Sequence, residues 1–218
     1  MLHPWQWLLL IIAPMYTAIQ NYCDQRAKEF DSISKERQAL LLKISAYANS
    51  RRVLNKAVNL VYICTHNSRR SHFGQIWAQV ACDYYKLTNI NSFSGGTETT
   101  AFNNYAINAL KRVGFSIQTT GNNENPHYHV KYDNEQPAIV SYSKIYNDKV
   151  NPGKEFAAIM TCGEAEENCP FIPGAEARIA TSYEDPKAFD NTPQQDAMYD
   201  ERCKQVALET LYVFSSIK

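Results

Sequence analysis

The stretch VYICTHNSRRS, residues 61–71, constrains the fold of this chain more than any other segment. An apolar run ends at Cys64, a short polar loop follows, and an amphipathic pattern begins at Ser71, which predicts a buried strand, a tight loop and a helix. Asn67 suits the left-handed backbone that such a loop needs. Between a strand and a helix, free N–H groups and the helix macrodipole favour negative charge. Cys64 is therefore predicted to react as a thiolate nucleophile.

The loop after Cys64 has the composition of an oxyanion-binding site. Its backbone amides can wrap a tetrahedral anion, and the planar guanidinium of Arg70 can close the wrap with two parallel hydrogen bonds. Ser68 and Ser71 can each donate a hydroxyl hydrogen bond to the sulfur. The predicted oxyanion-binding residues are Thr65, His66, Asn67, Ser68, Arg69, Arg70 and Ser71.

Strand and helix patterns alternate along the rest of the chain. Strands are predicted at 60–64, 91–94, 156–161 and 177–181, and helices at 71–85, 101–113 and 192–216. This alternation predicts an α/β fold in which parallel strands are joined by right-handed crossovers. Since ligands bind at the carboxyl ends of such strands, the end of the first strand, where Cys64 stands, is the expected active site.

The loop segment resembles the phosphate-binding loop of the low-molecular-weight protein tyrosine phosphatases and of the related thioredoxin-coupled arsenate reductases. Residues 94–117 resemble that family's second strand, small-residue turn and helix, and residues 160–189 resemble its third strand, redox loop, fourth strand and acid loop. The resemblance covers about residues 59–217, except for a stretch in the middle. It implies a low-molecular-weight phosphatase-like three-layer sandwich with a four-stranded parallel sheet, plus an N-terminal helical extension.

The pair Asp185-Pro186 matches the acid motif of this family. The resemblance implies that Asp185 protonates the leaving oxygen as a P–O bond breaks and then activates water for the second step. Pro186 restricts the preceding residue to extended backbone, which helps to aim the carboxyl group. Glu184 is the adjacent alternative.

Two further cysteines, Cys162 and Cys169, have the spacing of the redox pair of the arsenate reductases. The resemblance implies that Cys162 attacks the adduct formed on Cys64, and that Cys169 resolves the resulting disulfide and leaves a pair that thioredoxin reduces. Such exchange needs accessible thiols on a mobile segment. The intervening sequence GEAEEN is predicted to be a flexible loop with Gly163 as its hinge. The alternative is that the two are unrelated loop thiols.

Two activities therefore stay open. The leading prediction is arsenate reduction with thioredoxin as partner, and the alternative is hydrolysis of phosphotyrosine in proteins through a phosphocysteine on Cys64. A phosphate-sensing or redox-regulated module without turnover is a third hypothesis, and the joint presence of Cys64, Arg70 and Asp185 argues against it. Neither chemistry needs a bound cofactor, and none is predicted.

The chain is predicted to comprise an N-terminal helical extension at 1–58 and a catalytic domain at 59–218. The extension is interpreted as a helical pair packed on the domain, with a dimer contact as the alternative, and residues 1–14 as a possible over-called start. The apolar run at 5–12 is too short to span a bilayer. Lys+Arg and Asp+Glu number 22 each, so the net charge gives no argument for nucleic acid or a membrane surface. Six cysteines without a convincing secretory signal favour a cytoplasmic thiol enzyme.

An insertion at about 118–151 departs from the family pattern. It is interpreted as a solvated loop rather than a substrate-facing lid, with an extra strand or hairpin at 137–146. The residues that a lid would bring to substrate are His127, Tyr128, His129 and Tyr132. The two histidines are too isolated from carboxylates and thiols to predict a metal site.

Overall fold

A computed structural model describes residues 15–168 and 171–218 of the chain. Both the proposed over-called start at 1–14 and the predicted relay residue Cys169 lie outside the described residues. In chain order the elements are α1 (Thr17–Ala27), α2 (Lys35–Val53), β1 (Val58–Cys64), α3 (Arg70–Tyr84), β2 (Ile90–Gly96), α4 (Asn104–Val113), β3 (Ser116–Thr120), β4 (His127–Lys131), β5 (Ile139–Ser141), β6 (Phe156–Met160), α5 (Gly163–Asn168), β7 (Ala175–Ala180) and α6 (Gln195–Ser215).

The central sheet has four parallel strands in the order β2-β1-β6-β7, which confirms the predicted architecture. Alternate residues of β1 face opposite sides of this sheet. Leu60 and Tyr62 belong to the large core that the helices α3 and α6 cover. Val61 and Ile63 belong to a smaller apolar cluster on the other face, next to α5. The apolar clusters on the two faces of the sheet therefore differ in size, and the end of β1 that carries Cys64 lies between them.

The helix ends follow the chemistry of the sequence. Ser34 caps α2 by accepting the N–H of Arg37, and Asn103 caps α4. Gly114 ends α4 with a φ of 122°, a backbone conformation that glycine adopts without strain. Within the described ranges, none of the helices combines the length and the apolar character that crossing a bilayer requires.

The N-terminal helices pack on the domain as an integral layer. Ile19, Leu41 and Ile44 are buried in the same core cluster as the sheet. The guanidinium of Arg37 forms an ion pair of 2.7 Å with Glu209 on α6. Because both side chains are largely buried, this pair fixes the position of α2 over α6.

The insertion is not the solvated loop that the sequence suggested. Strands β3, β4 and β5 form a three-stranded antiparallel sheet. Val130 and Tyr132 are buried in the main core, and the Tyr132 hydroxyl donates to Asp83 on α3. The predicted extra strand at 137–146 corresponds to β5. The interpretation as loop was wrong because apolar residues in this stretch pack against α3, a long-range contact that local composition does not reveal.

Replacing Leu41 with alanine tests whether the N-terminal layer belongs to the cooperative fold. Leu41 is 1% exposed, so the cavity left by Leu41→Ala should lower the free energy of unfolding by about 3 kcal/mol. Leu40, which is 38% exposed, provides the matched control, and Leu40→Ala should cost less than about 1 kcal/mol. Denaturant unfolding measures both values. Equal, small losses would mean that α2 does not unfold with the domain.

Candidate active site

The reactive loop connects β1 to α3. Cys64 is the last residue of β1 and Arg70 is the first of α3, so the predicted order of strand, loop and helix is confirmed. Asn67 has a φ of 44°, the left-handed conformation expected for it. Cys64 and Asn67 are both buried, at 3% and 0% exposure. The predicted nucleophile therefore stands at the carboxyl end of a central strand, within a loop shaped by one left-handed residue.

A chain of hydrogen bonds directs a hydroxyl group at the sulfur. Ser71 Oγ lies 3.1 Å from Cys64 Sγ. Asn67 Nδ2 donates to the same Ser71 oxygen at 2.9 Å, so the hydroxyl proton of Ser71 is left to point at the sulfur. Asn67 Oδ1 in turn accepts the N–H of Lys144 at 3.0 Å. An O–H donor held in this way stabilises negative charge on the sulfur.

Ser68 does not share this role, and its prediction as a donor to the sulfur was wrong. Its hydroxyl donates instead to the carbonyl of Ala101 at 2.7 Å, a stronger acceptor than sulfur. The carbonyl of Ser68 accepts the N–H of Asn103, the cap of α4. Ser68 therefore ties the reactive loop to the start of α4.

Gly96 lets the end of β2 approach the loop. It pairs with Cys64 in the sheet, and the N–H groups of Thr97 and Glu98 donate to the carbonyls of Cys64 and Thr65. A Cβ atom at position 96 would lie 2.6 Å from Thr65 O and 2.7 Å from Asn67 N. Both obstacles are backbone atoms, so only glycine fits at this position.

The last part of the insertion supports the loop from behind rather than covering it as a lid. Ser143 Oγ donates to the carbonyl of His66 at 2.8 Å, next to the bond between Lys144 and Asn67. The carbonyl of Lys144 accepts the N–H of Gly96, which extends the edge of the parallel sheet. Of the residues suggested for a lid, His127 stacks on Tyr142, within the insertion itself.

Arg70 and Asp185, predicted from distant parts of the sequence, are in direct contact. Arg70 Nη2 donates to Asp185 Oδ2 at 2.6 Å, and Nη1 donates to the carbonyl of Tyr183 at 3.0 Å. The buried Nε of Arg70 has no hydrogen-bond partner among the described residues. This N–H can therefore bind an oxyanion while the rest of the guanidinium stays anchored to the acid loop.

The acid loop is held by the N-terminal layer. Asp185 caps the short 3-10 turn Pro186–Phe189 through the N–H of Lys187. The guanidinium of Arg37 on α2 lies 4.9 Å from the centre of the Tyr183 ring and donates to the carbonyl of Thr181. Glu184, the alternative acid, is exposed to solvent. The geometry therefore favours Asp185 over Glu184 at the reactive loop.

The side chain of Arg69 joins the acid loop to α6. Its Nε donates to the hydroxyl of Tyr199 at 3.0 Å, and its Nη1 lies 3.8 Å from Asp185 Oδ2. Tyr199 donates to Asp190 at 2.7 Å. Burial raises the pKa of Tyr199 above its usual value, so the hydroxyl keeps its proton for that bond. The predicted part of Arg69 in oxyanion binding remains a prediction that concerns its backbone amide and its charge.

Cys162 lies against the reactive loop. Its Sγ is 3.4 Å from Thr65 Oγ1, and it shares the smaller apolar cluster with Cys64. The predicted accessible loop was wrong on two counts, because Cys162 is only 1% exposed and residues 163–168 form helix α5. The N–H of Ala165 donates to Cys162 Sγ at 3.4 Å, a capping contact that favours the helical form.

A groove of about 360 Å³ opens beside the loop. Three basic residues line it, His66, Arg69 and Lys187, together with hydroxyl and amide side chains. Phe102 also borders the groove, but it is 2% exposed and offers little ring surface. This lining suits a small anion better than an aromatic ring.

Several contacts that shape the site were not predicted from the sequence. The hydroxyl of Thr65, the amide of Lys144 and the guanidinium of Arg37 all make contacts with partners more than 70 residues away in the chain. No motif marks Lys144 or Arg37. For Thr65, the position next to the nucleophile is a signal that could have been followed.

The chain is similar in sequence to curated arsenate reductases, although no family model matches it. It is 27% identical to the arsenate reductase of Staphylococcus aureus strain Newman over 128 residues, which is 58% of this chain and 77% of that protein. It is 24% identical to the arsenate reductase of Bacillus subtilis strain 168 over 146 residues, or 66% of this chain and 86% of that protein.

Solved structures support the fold. A low-molecular-weight phosphotyrosine phosphatase from Vibrio cholerae O395 superposes with a TM-score of 0.51 at 13% identity, covering 73% of this chain and 96% of that chain. The low-molecular-weight protein tyrosine phosphatase of T. tengcongensis gives a TM-score of 0.50 at 11% identity, covering 74% and 100%. The fold is that of the low-molecular-weight phosphatases, and the sequence relatives are arsenate reductases. The similarity to these enzymes indicates that the chain is itself an enzyme.

Substitutions of Asn67 separate backbone strain from hydrogen bonding in the phosphatase-like loop. Asn67→Ala removes both side-chain hydrogen bonds and also forces alanine, whose Cβ disfavours this conformation, to adopt a positive φ. Asn67→Gly removes the same two hydrogen bonds, but glycine adopts the positive φ without strain. Denaturant unfolding should find the alanine variant less stable than the glycine variant by about 1 kcal/mol. Both should lose activity, because Ser71 is no longer fixed. Full activity in Asn67→Gly would show that the hydrogen bonds do not matter for the reaction.

Proposed function

We propose that this enzyme reduces arsenate to arsenite through Cys64, Cys162 and Cys169, and that thioredoxin regenerates the reduced thiols. The observation that carries the proposal is the 3.4 Å contact between Cys162 Sγ and Thr65 Oγ1, the residue that follows the nucleophile. Phosphate-ester hydrolysis requires only one thiol, so a second thiol this close to the reactive loop supports reduction. The arsenate reductase names of the sequence relatives support the same choice.

The reaction begins with the attack of Cys64 on arsenate, and two exchanges at sulfur follow: the attack of Cys162 on Cys64, and then the attack of Cys169 on Cys162. Cys64 thiolate attacks arsenate, an As–S bond forms, and one arsenate oxygen leaves as water after taking up protons. Cys162 thiolate then attacks the Cys64 sulfur. The S–S bond forms as the S–As bond breaks, and the electron pair stays on arsenic, which leaves as arsenite. Cys169 thiolate attacks Cys162, Cys64 departs as thiolate, and the thioredoxin dithiol reduces the new disulfide.

Thr65 and Glu164 provide a route for the proton of Cys162. Thr65 Oγ1 donates to Glu164 Oε2 at 2.9 Å, which leaves the Thr65 oxygen to accept the S–H of Cys162. Glu164 is exposed to solvent. A proton leaving Cys162 can therefore pass through the Thr65 hydroxyl to a carboxylate at the surface as the thiolate forms.

Helix α5 must unwind during the second exchange. Its residues 163–168 separate the two cysteines in the chain. At a rise of about 1.5 Å per residue, the six helical residues 163–168 alone span about 9 Å. A disulfide requires Cα atoms within about 7 Å. The folded helix keeps Cys162 beside the loop while Cys162 attacks Cys64. Unwinding of the helix then lets Cys169 reach Cys162.

The groove beside the loop fits this substrate. Its three basic side chains attract an anion, and the nearly complete burial of Phe102 leaves no aromatic wall for a tyrosyl ring. A free tetrahedral oxyanion needs only the loop amides and Arg70, whose Nε has no other hydrogen-bond partner among the described residues.

Arsenate-dependent NADPH oxidation tests the proposal directly. Pre-reduced protein with thioredoxin and thioredoxin reductase should give sustained turnover. Cys64→Ser and Cys162→Ser should abolish it, and Cys169→Ser should stop after one turnover because the first disulfide is not resolved. Cys82→Ala is the matched control, since Cys82 is a buried core thiol on α3. Continued cycling by Cys169→Ser would contradict the relay.

Hydrolysis of phosphotyrosine is the second candidate, and the contact between Arg70 and Asp185 favours it. The carboxyl group of Asp185 lies 2.6 Å from the predicted anion-binding guanidinium, which supports a role in protonating a leaving oxygen. The resulting phosphocysteine on Cys64 would then be hydrolysed by water that Asp185 activates.

Replacing Asp185 with asparagine separates the two activities. Asp185→Asn should slow aryl phosphate hydrolysis by about 100-fold, most for poor leaving groups, because it removes the general acid. Arsenate-dependent cycling should fall much less, since thiol exchange needs no proton from Asp185. Glu184→Gln, an adjacent and exposed change, is the control. An unchanged hydrolysis rate in Asp185→Asn would remove this residue from the acid role.

A further inference from the structure

A lysine ammonium is buried behind the reactive loop without a carboxylate partner. Lys144 is 4% exposed, and its Nζ lies 4.7 Å from the centre of the Tyr142 ring. Its nearest hydrogen-bond acceptors, Ser94 Oγ and the carbonyl of Tyr142, are both 3.5 Å away. Within residues 15–168 and 171–218 no ion pair is found for it. An unpaired buried charge costs stability, so its presence needs a compensating role.

The position of Lys144 indicates that role. Its N–H donates to Asn67 Oδ1, and the neighbouring Ser143 hydroxyl donates to the carbonyl of His66. Both acceptors belong to the loop that is predicted to wrap the oxyanion. The backbone of Lys144 is thus fixed against the anion-binding loop, and its ammonium lies beside Ser94 on β2, the strand that pairs with β1.

We propose that Lys144 is a positioning residue for the oxyanion: its ammonium is a built-in counter-charge that strengthens binding in the Cys64 loop without touching the anion. The inference rests on the proposed function only in requiring that the loop binds a tetrahedral oxyanion. No carboxylate of the described residues forms an ion pair with the ammonium, so its charge remains available to attract the anion through the loop.

The surrounding ionisable groups leave Lys144 as a source of positive charge near neutral pH. Burial, reinforced by the charge of Lys144, holds the pKa of His72 on α3 well below its usual value, so that imidazole is neutral. Burial raises the pKa of Tyr142, so its ring is neutral too. The ring of His127 on β4 stacks on the ring of Tyr142. The carboxylate of Asp148, in the segment after β5, attracts the ammonium.

The charge on Lys144 depends on pH in an accessible range. Burial lowers the pKa of the Lys144 ammonium to about 8, against a weaker opposing effect of Asp148. The lysine is therefore charged below about pH 8 and neutral above it. Its contribution to oxyanion binding should be present below this pH and lost as the pH rises through it. By linkage, a bound anion raises the pKa of Lys144 in turn.

Sulfate binding to a Cys64→Ser background isolates this effect. Sulfate keeps its charge from about pH 6.5 to about pH 9.5, and the serine variant carries no thiol in the loop. Calorimetry should show an affinity that falls about tenfold or more as the pH passes 8, because the ammonium loses its charge and with it its attraction for the divalent anion. Adding Lys144→Met should weaken binding about tenfold at neutral pH and remove this dependence.

Two further variants control the experiment. Lys144→Arg should keep tight binding at high pH, because the guanidinium stays charged, and the cavity of about 490 Å³ that Lys144 lines has room for it. Lys149→Met, an exposed lysine in the same segment, should change nothing. Without sulfate, Lys144→Met should raise the melting temperature, because it removes an unpaired buried charge, whereas a merely structural lysine would lower it.

The outcomes distinguish this inference from the proposed function. If the Cys64→Ser protein binds no sulfate at any pH, the loop is not an oxyanion site, and both proposals fail. If it binds sulfate equally well with Lys144→Met, with the same pH dependence, only the role of Lys144 is overturned.

Discussion

The left-handed turn at Asn67 is the constraint on which the rest of the site depends. It reverses the chain between Cys64 and α3, and the Asn67 side chain holds Ser71 with one end and the N–H of Lys144 with the other. The turn also requires glycine at position 96, since any larger residue would meet the loop backbone. A local conformation of one residue thus couples the nucleophile, the edge strand and the insertion.

Local signals were enough for much of the fold and of the site. The apolar run before Cys64, the polar loop and the amphipathic pattern after it lie within a few residues of one another, and the structure bears out β1, the left-handed Asn67 and α3. Arg70 was predicted from the loop, and Asp185 from the resemblance of its Asp-Pro pair to the family's acid motif, and the two side chains are in contact. These inferences needed no knowledge of side-chain packing.

The misjudged features depend on contacts between distant segments. The polar sequence of α5 reads as a loop, yet Ala165 is buried against Cys64 and Cys162 in the smaller apolar cluster. The insertion reads as solvated, yet Val130 and Tyr132 complete the main core. The charge of Lys144 lies in a segment whose composition gives no sign of burial. In each case tertiary packing overrides the local preference of the sequence.

The central claim is that the thiol beside the loop attacks the sulfur of the nucleophile. A single turnover with arsenate in the Cys169→Ser variant tests it most directly, with the products examined by peptide mapping under non-reducing conditions. The account predicts one arsenite released for each disulfide trapped between Cys64 and Cys162. Release of arsenite with both thiols still free, or a disulfide that joins Cys64 to another cysteine, would contradict it.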